Sequence, residues 1–247
     1  MGQRRAMASS IGRVVLVTGA TRGLGRAVAE VFREEGAQVH VVHRSAAVAG
    51  ELEQLYPGRV HCADLTEAGA AASVIESLLA QDGQLDALVH AVGPYQQAAL
   101  EDTDLASFRA LMEGNFFSAV QLVDAARQAL RAGGGRLVLF GVSGLAAHHP
   151  RRSNAAYVAS KAALRSYARS LALQEAPHGV NVNMVSPGVI PHAGASVDTL
   201  DPELQARIPQ GRPGRPEEVA SAVRYLCSPE AAHVVGQDIE VAGGYLL

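Results

Sequence analysis

The chain has 247 residues, 48% of them hydrophobic and 18% charged, with a formal net charge of −3. This balance excludes a disordered chain and lacks the basic excess of a general nucleic-acid binder. Two cysteines, Cys62 and Cys227, are too few for a disulfide framework or a zinc site, which fits a reducing, cytoplasmic setting.

The start is basic, but no apolar run follows before Val14, so neither a signal peptide nor a membrane span is expected. Residues 1–12 read as a loose tail and 13–247 as one domain. Val14 to Thr18 is a short β-branched run. The turn Gly19-Ala20-Thr21-Arg22-Gly23-Leu24-Gly25 follows, and a helical pattern runs over Ala27 to Glu35. Strand, glycine turn and helix are the context in which glycines let the backbone approach a pyrophosphate at a helix N-terminus. The spacing is Thr-Gly-x-x-x-Gly-x-Gly, which reads as cofactor binding rather than a purely structural turn.

A second apolar run, Val39 to Val42, ends in His43-Arg44-Ser45. NAD asks for an acidic residue at this strand end, and the 2′-phosphate of NADP for an arginine. Arg44 stands there without an acid, and Arg22 sits in the glycine turn, which favours NADP(H) over a reading of both as surface arginines. Val60 to Ala63 precedes Asp64-Leu65. Asp64 either accepts from an adenine amino group or starts the next helix with Thr66 as cap. Ala87 to Val92 is a strand running into Gly93. One long helix is expected from about Leu105 to Arg131, carrying Asn115. Arg136 to Phe140 is a strand followed by Gly141-Val142-Ser143-Gly144.

Further strands are expected at 180–185, before Ser186-Pro187-Gly188, and at 238–241, with a helix over 216–226. This alternation predicts an α/β fold: a single doubly wound Rossmann-type domain, its parallel sheet of about seven strands covered by helices on both faces. The stretch 190–214, rich in Gly, Pro and Ala, reads as a substrate loop or lid.

Lys161 is the only lysine in the chain and lies four residues after Tyr157. On a helix the two share a face. An ammonium there is expected to lower the phenol pKa, making an acid/base device. The plainer alternative is an amphipathic helix with a chance tyrosine.

Together these residues resemble the short-chain dehydrogenase/reductase family, over Val14 to Leu247. Thr18-Gly19 through Gly25, Asp64-Leu65, Asn115, Tyr157/Lys161, Pro187-Gly188 and Val241-Ala242-Gly243-Gly244 fall in the family's order. Ile208 to Arg212 with Pro216 to Ala220 is similar to the 3-oxoacyl-(acyl-carrier-protein) reductase branch. The resemblance implies that Tyr157 exchanges the proton and that Lys161 holds the nicotinamide ribose. Ser143 would bind the substrate oxygen, and Asn115 a water linking Lys161 to solvent. Gly19, Thr21, Arg22, Gly23, Leu24, Gly25, Arg44, Ser45, Asp64, Leu65, Ala91, Gly93, Pro187, Gly188 and Ile190 would contact NADP(H). It also implies a homotetramer, with a small carbonyl or alcohol, carrier-bound or free, as substrate, and no nucleic-acid or membrane partner.

Four positions depart from the family pattern. His90-Ala91 replaces two asparagines, with His90 either a substitute or a core residue. Ser143 lies one residue farther from Tyr157 than the usual serine, and Val142 falls in the expected slot. His192 replaces a threonine, and the 190–214 segment is poor in large apolar residues. His148-His149 reads as a loop at the pocket rim rather than a metal site. Arg151-Arg152 reads as an exposed loop pair, the alternative being contact with an anionic substrate or carrier protein. The favoured activity is NADPH-dependent reduction of a 3-oxoacyl thioester. Reduction of another small carbonyl or of a pteridine is the enzymatic alternative, and a non-catalytic NADP-binding sensor the other. An enoyl reductase is disfavoured, because that branch of the family spaces its tyrosine and lysine more widely than Tyr157 and Lys161.

Overall fold

The computed structural model describes residues 10–147, 150–191 and 202–246. Its elements are β1 (Val14–Thr18), α1 (Gly23–Glu34), β2 (Gln38–His43), α2 (Ala49–Leu55), β3 (Val60–Cys62), α3 (Ala70–Asp82) and β4 (Ala87–His90). Then come α4 (Leu105–Met112), a π-helical turn (Glu113–Phe117), α5 (Ser118–Gly133), β5 (Arg136–Phe140) and α6 (Ala155–Glu175). The chain closes with β6 (Asn181–Pro187), α7 (Pro202–Ala206), α8 (Pro216–Cys227) and β7 (Asp238–Val241).

The seven strands form one parallel sheet in the order β3-β2-β1-β4-β5-β6-β7. Side chains alternate across it, as the two-residue strand period requires. Leu16, Leu88, Leu137, Leu139 and Met184 face a layer built from α3, α5 and α6. Val15, Val17, Val41, Val89 and Val138 face α1, α2 and α8. Both faces are therefore apolar, and the doubly wound architecture expected from the alternation is the one observed.

Three local expectations change. The long helix over 105–131 is broken by the π turn at 113–117, and Asn115 lies in that turn. Thr66 caps no helix. Its N–H and hydroxyl both donate to Asp64 Oδ1, at 3.0 and 2.7 Å, and α3 starts only at Ala70. Ser10 is buried and its hydroxyl donates to Glu35 at 2.7 Å, so the packed chain begins before residue 13. Residues 1–9 of the expected tail lie outside the described residues.

Candidate active site

In a parallel sheet the loops leaving the strand C-termini gather at one edge, and a crevice opens where strand order reverses. Here that reversal lies between β1 and β4, the neighbours through which the chain departs in opposite directions. The glycine turn leaves β1 there. Gly19 takes φ +72°, and a Cβ on it would lie 2.8 Å from the Ala91 carbonyl. A Cβ on Gly25 would overlap the Gly19 carbonyl. These glycines let α1, the turn and the β4 loop close on one another. The N-terminus of α1 has no side-chain cap, Arg22 standing at the cap position with an extended backbone and an exposed side chain. Its free N–H groups and positive dipole end suit a pyrophosphate, and a dinucleotide fits this cradle.

At the adjoining edge His43 Nδ1 lies 2.9 Å from the Ser45 carbonyl oxygen, and Arg44 extends into solvent with its side chain 71% exposed. Arg44 makes one long contact, 3.4 Å, to Asp64 Oδ2. Leu65 is buried in the core rather than lining the edge. Thr21 and Leu24 are half-buried in the turn, and Leu24 packs on the core.

Tyr157 lies in the first turn of α6 and Lys161 one turn later. Lys161 is buried, and its Nζ donates to the Phe140 carbonyl at the end of β5, at 3.0 Å. The same Nζ lies 5.9 Å from the centre of the Tyr157 ring. Burial pulls the Lys161 pKa down to about 8. The Tyr157 phenol is pushed up to about 12, first by burial and second by Tyr95. Tyr95 meets the Tyr157 ring edge-on at 5.1 Å between centres. This corrects the expectation of a lowered phenol pKa. The ammonium is bonded to a backbone carbonyl, and withdrawal from water raises the phenol pKa and lowers that of the ammonium.

Asn115 completes the cluster from the π turn. Its Nδ2 donates to the Pro94 carbonyl at 2.9 Å, while Oδ1 is buried without a partner. Gly93 makes room for it: a Cβ there would overlap Oδ1 and lie 3.1 Å from Lys161 Nζ. An orphaned acceptor therefore faces the same point as a buried ammonium, which is a seat for a water.

His90 resolves the altered β4 loop. It is buried at 1% exposure, with Nδ1 3.0 Å from Thr18 Oγ1 and Nε2 3.2 Å from Ser118 Oγ. It is thus a substitute brace, and Ser118 is a partner that sequence reading missed; a serine just past a glycine-containing helical turn was the available signal. Ala91 donates its N–H to Thr18 Oγ1 at 3.2 Å.

Ser143 is buried, with its N–H on the Pro187 carbonyl at 3.0 Å and its own carbonyl accepting from Arg151 at 2.5 Å. Val142 beside it is half-buried. Arg151 is accordingly folded back onto the site rather than paired with Arg152 in solvent. Gly188 donates to the Val241 carbonyl at 3.0 Å and packs on Ala242. Ile190 is held by Gly214, whose N–H donates to Val189. His148, His149 and residues 192–201 of the expected lid, His192 among them, lie outside the described residues. From Pro202 onward that segment is folded: α7 leads to the buried Ile208, and Gln210 N–H donates to Gly243.

Residues 19–246 match a family model described as "Enoyl-(Acyl carrier protein) reductase". The chain belongs to the short-chain dehydrogenase/reductase family. Among curated members, L-fucose dehydrogenase of Mus musculus is 35% identical, over 94% of this chain and 88% of that protein. The 3-oxoacyl-[acyl-carrier-protein] reductase of Escherichia coli strain K12 is 32% identical, over 94% and 97%. A short-chain dehydrogenase of Burkholderia cenocepacia, solved in complex with NADP, superposes with a TM-score of 0.86 at 29% identity, covering 96% of this chain and 99% of the other. Membership makes the chain an oxidoreductase of this fold. Among the described residues no helix is long and apolar enough to cross a membrane.

Proposed function

We propose that this short-chain dehydrogenase/reductase is an NADP(H)-dependent carbonyl reductase with Tyr157 as its acid/base. The observation that carries the reading is the cluster of half-buried Tyr157 with buried Lys161 and Asn115 at the C-terminal edge of the sheet. The nicotinamide supplies the hydride when bound. Arg22 and Arg44 would hold the 2′-phosphate, supported by the NADP complex of the Burkholderia relative. Gly19, Thr21, Gly23, Leu24, Gly25, Ser45 and Asp64 would form the adenine side, and Ala91, Gly93, Pro187, Gly188 and Ile190 the nicotinamide side.

Tyr157 stays protonated at neutral pH and delivers its phenol proton to the carbonyl oxygen. Lys161 would replace that proton, through a water that the unpartnered Asn115 Oδ1 would seat. Ser143 donates to the substrate oxygen from the facing loop. A 3-oxoacyl thioester is the favoured substrate, supported by the Escherichia coli relative. The mouse relative supports a second reading, oxidation of a sugar hydroxyl with the same residues run in reverse. We propose a homotetramer as the assembly and the cytoplasm as its place. Leu105, Phe117 and Leu173, at 65%, 42% and 79% exposure on α4, the π turn and α6, are apolar surface that an interface would cover. Light scattering giving a monomer would remove the tetramer.

The test follows the absorbance of reduced nicotinamide with an acetoacetyl thioester, a ketone panel and L-fucose, each with both cofactors. Turnover of the thioester with NADPH is expected. Cofactor binding without turnover of any substrate would leave a sensor, and tighter binding of NADH than of NADPH would overturn the Arg22/Arg44 assignment.

A further inference from the structure

The two ring nitrogens of His90 reach different elements: Thr18 at the end of β1 and Ser118 at the start of α5. The other partners of these hydroxyls fix the protons. Ser118 Oγ donates to the Gly114 carbonyl at 2.8 Å, so it accepts from His90 Nε2–H. Thr18 Oγ1 accepts from Ala91 N–H, and its own proton goes to Nδ1. The imidazole is therefore neutral, with both nitrogens satisfied. Burial, with the Lys161 charge as a second cause, pushes its pKa down to about 3, which keeps this tautomer at neutral pH.

Ser118 is also the residue that closes the π turn. Its backbone N–H donates to the Glu113 carbonyl, five residues back in π fashion. In an α-helix that N–H would go to Gly114. The Ser118 hydroxyl supplies the Gly114 carbonyl with a donor instead, so one residue makes both bonds. Relaxing the turn to α geometry would rotate Asn115 by about 100° relative to α5. Its carboxamide would leave Pro94 and the point it shares with Lys161.

We infer that His90, acting through Ser118, is the positioning residue that locks the π turn and so aims Asn115 at Lys161. The inference rests on the proton path assigned above to Asn115 and Lys161. His90 orients the Ser118 hydroxyl by filling its acceptor site. Thr18 ties the imidazole to the strand from which the glycine turn departs.

The test compares His90→Gln, His90→Asn and Ser118→Ala in the full chain. Glutamine places an N–H near the position of imidazole Nε2 and can still donate to Ser118, whereas asparagine reaches only toward Thr18. Steady-state kinetics with NADPH and hydrogen exchange of the 113–118 amides are read together. His90→Gln is expected to stay within about threefold of the parent. His90→Asn and Ser118→Ala should lose roughly ten- to a hundred-fold in kcat, with KM and cofactor affinity nearly unchanged, as for a misaligned catalytic group. Their 113–118 amides should exchange faster. In an Asn115→Ala background His90→Asn should cost nothing further.

Equal losses for glutamine and asparagine, full activity of His90→Asn, or additive losses with Asn115→Ala would each overturn the inference. If His90→Asn does not fold, Ser118→Ala carries the same comparison. If the parent enzyme reduces no carbonyl, the proposed function falls separately. The exchange measurement still decides the clamp, and unchanged protection in both variants rejects it.

Discussion

At neutral pH the buried ammonium of Lys161 sits in a place that lowers its pKa to about 8 from 10.5. The unfolded chain therefore binds more protons than the folded one between those values. Stability from this group is complete above pH 10.5 and lost as pH falls toward 8, so at pH 7 Lys161 destabilises the fold by about 3 kcal/mol. Lys161→Met should raise Tm and abolish turnover. Lys161→Arg should also lose most activity, because the planar fork cannot replace a point charge bonded to the Phe140 carbonyl. A Lys161→Arg enzyme with near-parental kcat, or a less stable Lys161→Met, would contradict this account. For Ser143, removal of a donor to the developing oxyanion should lower kcat by about a hundredfold in Ser143→Ala. If Val142 instead faces the substrate, Ser143→Ala stays active and Val142→Ser gains activity. The Tyr157–Lys161 pairing was legible because helical spacing alone places the two on one face. The sign of the phenol shift was not, since it depends on burial and on the neighbouring Tyr95, which no motif encodes.

Element boundaries followed the hydrophobic periods closely where both faces of the sheet are buried, as for Arg136–Phe140, and at the edge strand Asp238–Val241. The π turn escaped because its residues have no composition of their own; it is defined by which carbonyl each N–H chooses. A second feature hidden from sequence is the polar row across β2 and β3. His40 Nε2 lies 2.6 Å from Asp82, and His40 Nδ1 2.9 Å from His61 Nε2. Arg59 closes Asp82 from the other side at 3.0 Å. Burial lowers the pKa of both histidines, that of His61 to about 4. Their folded values lie below the unfolded 6.5, so the stability they contribute is present above pH 6.5 and lost as pH falls toward 4. Chemical denaturation at pH 7 and pH 5 should show this loss, and His61→Gln should flatten it. An unchanged pH slope in that variant would refute the assignment.

The whole molecule is one sheet threaded so that its first half is finished early. Strands β3-β2-β1-β4 are contiguous in the sheet and complete at His90, whereas β5, β6 and β7 are added beyond β4. The parallel sheet covered on both faces was legible because unbroken β/α alternation predicts it. Which strands neighbour one another was not legible in any local pattern, since register between parallel strands is set by contacts as distant as Thr18 and His90, 72 positions apart.

That strand order has a consequence during synthesis. As the chain leaves the ribosome at roughly 5–20 residues per second, the half-sheet waits for some seconds with the apolar edge of β4 unpaired. Ala87–His90 is fully buried in the finished protein, with neither a lysine nor a proline to repel a stray strand. Nascent chains truncated within α5 should accordingly self-associate, while chains extended through Phe140 should not. Sedimentation of stalled ribosome complexes released at the two lengths would measure the difference, and equal solubility of both would show that α3 and the emerging α5 already shield the open edge.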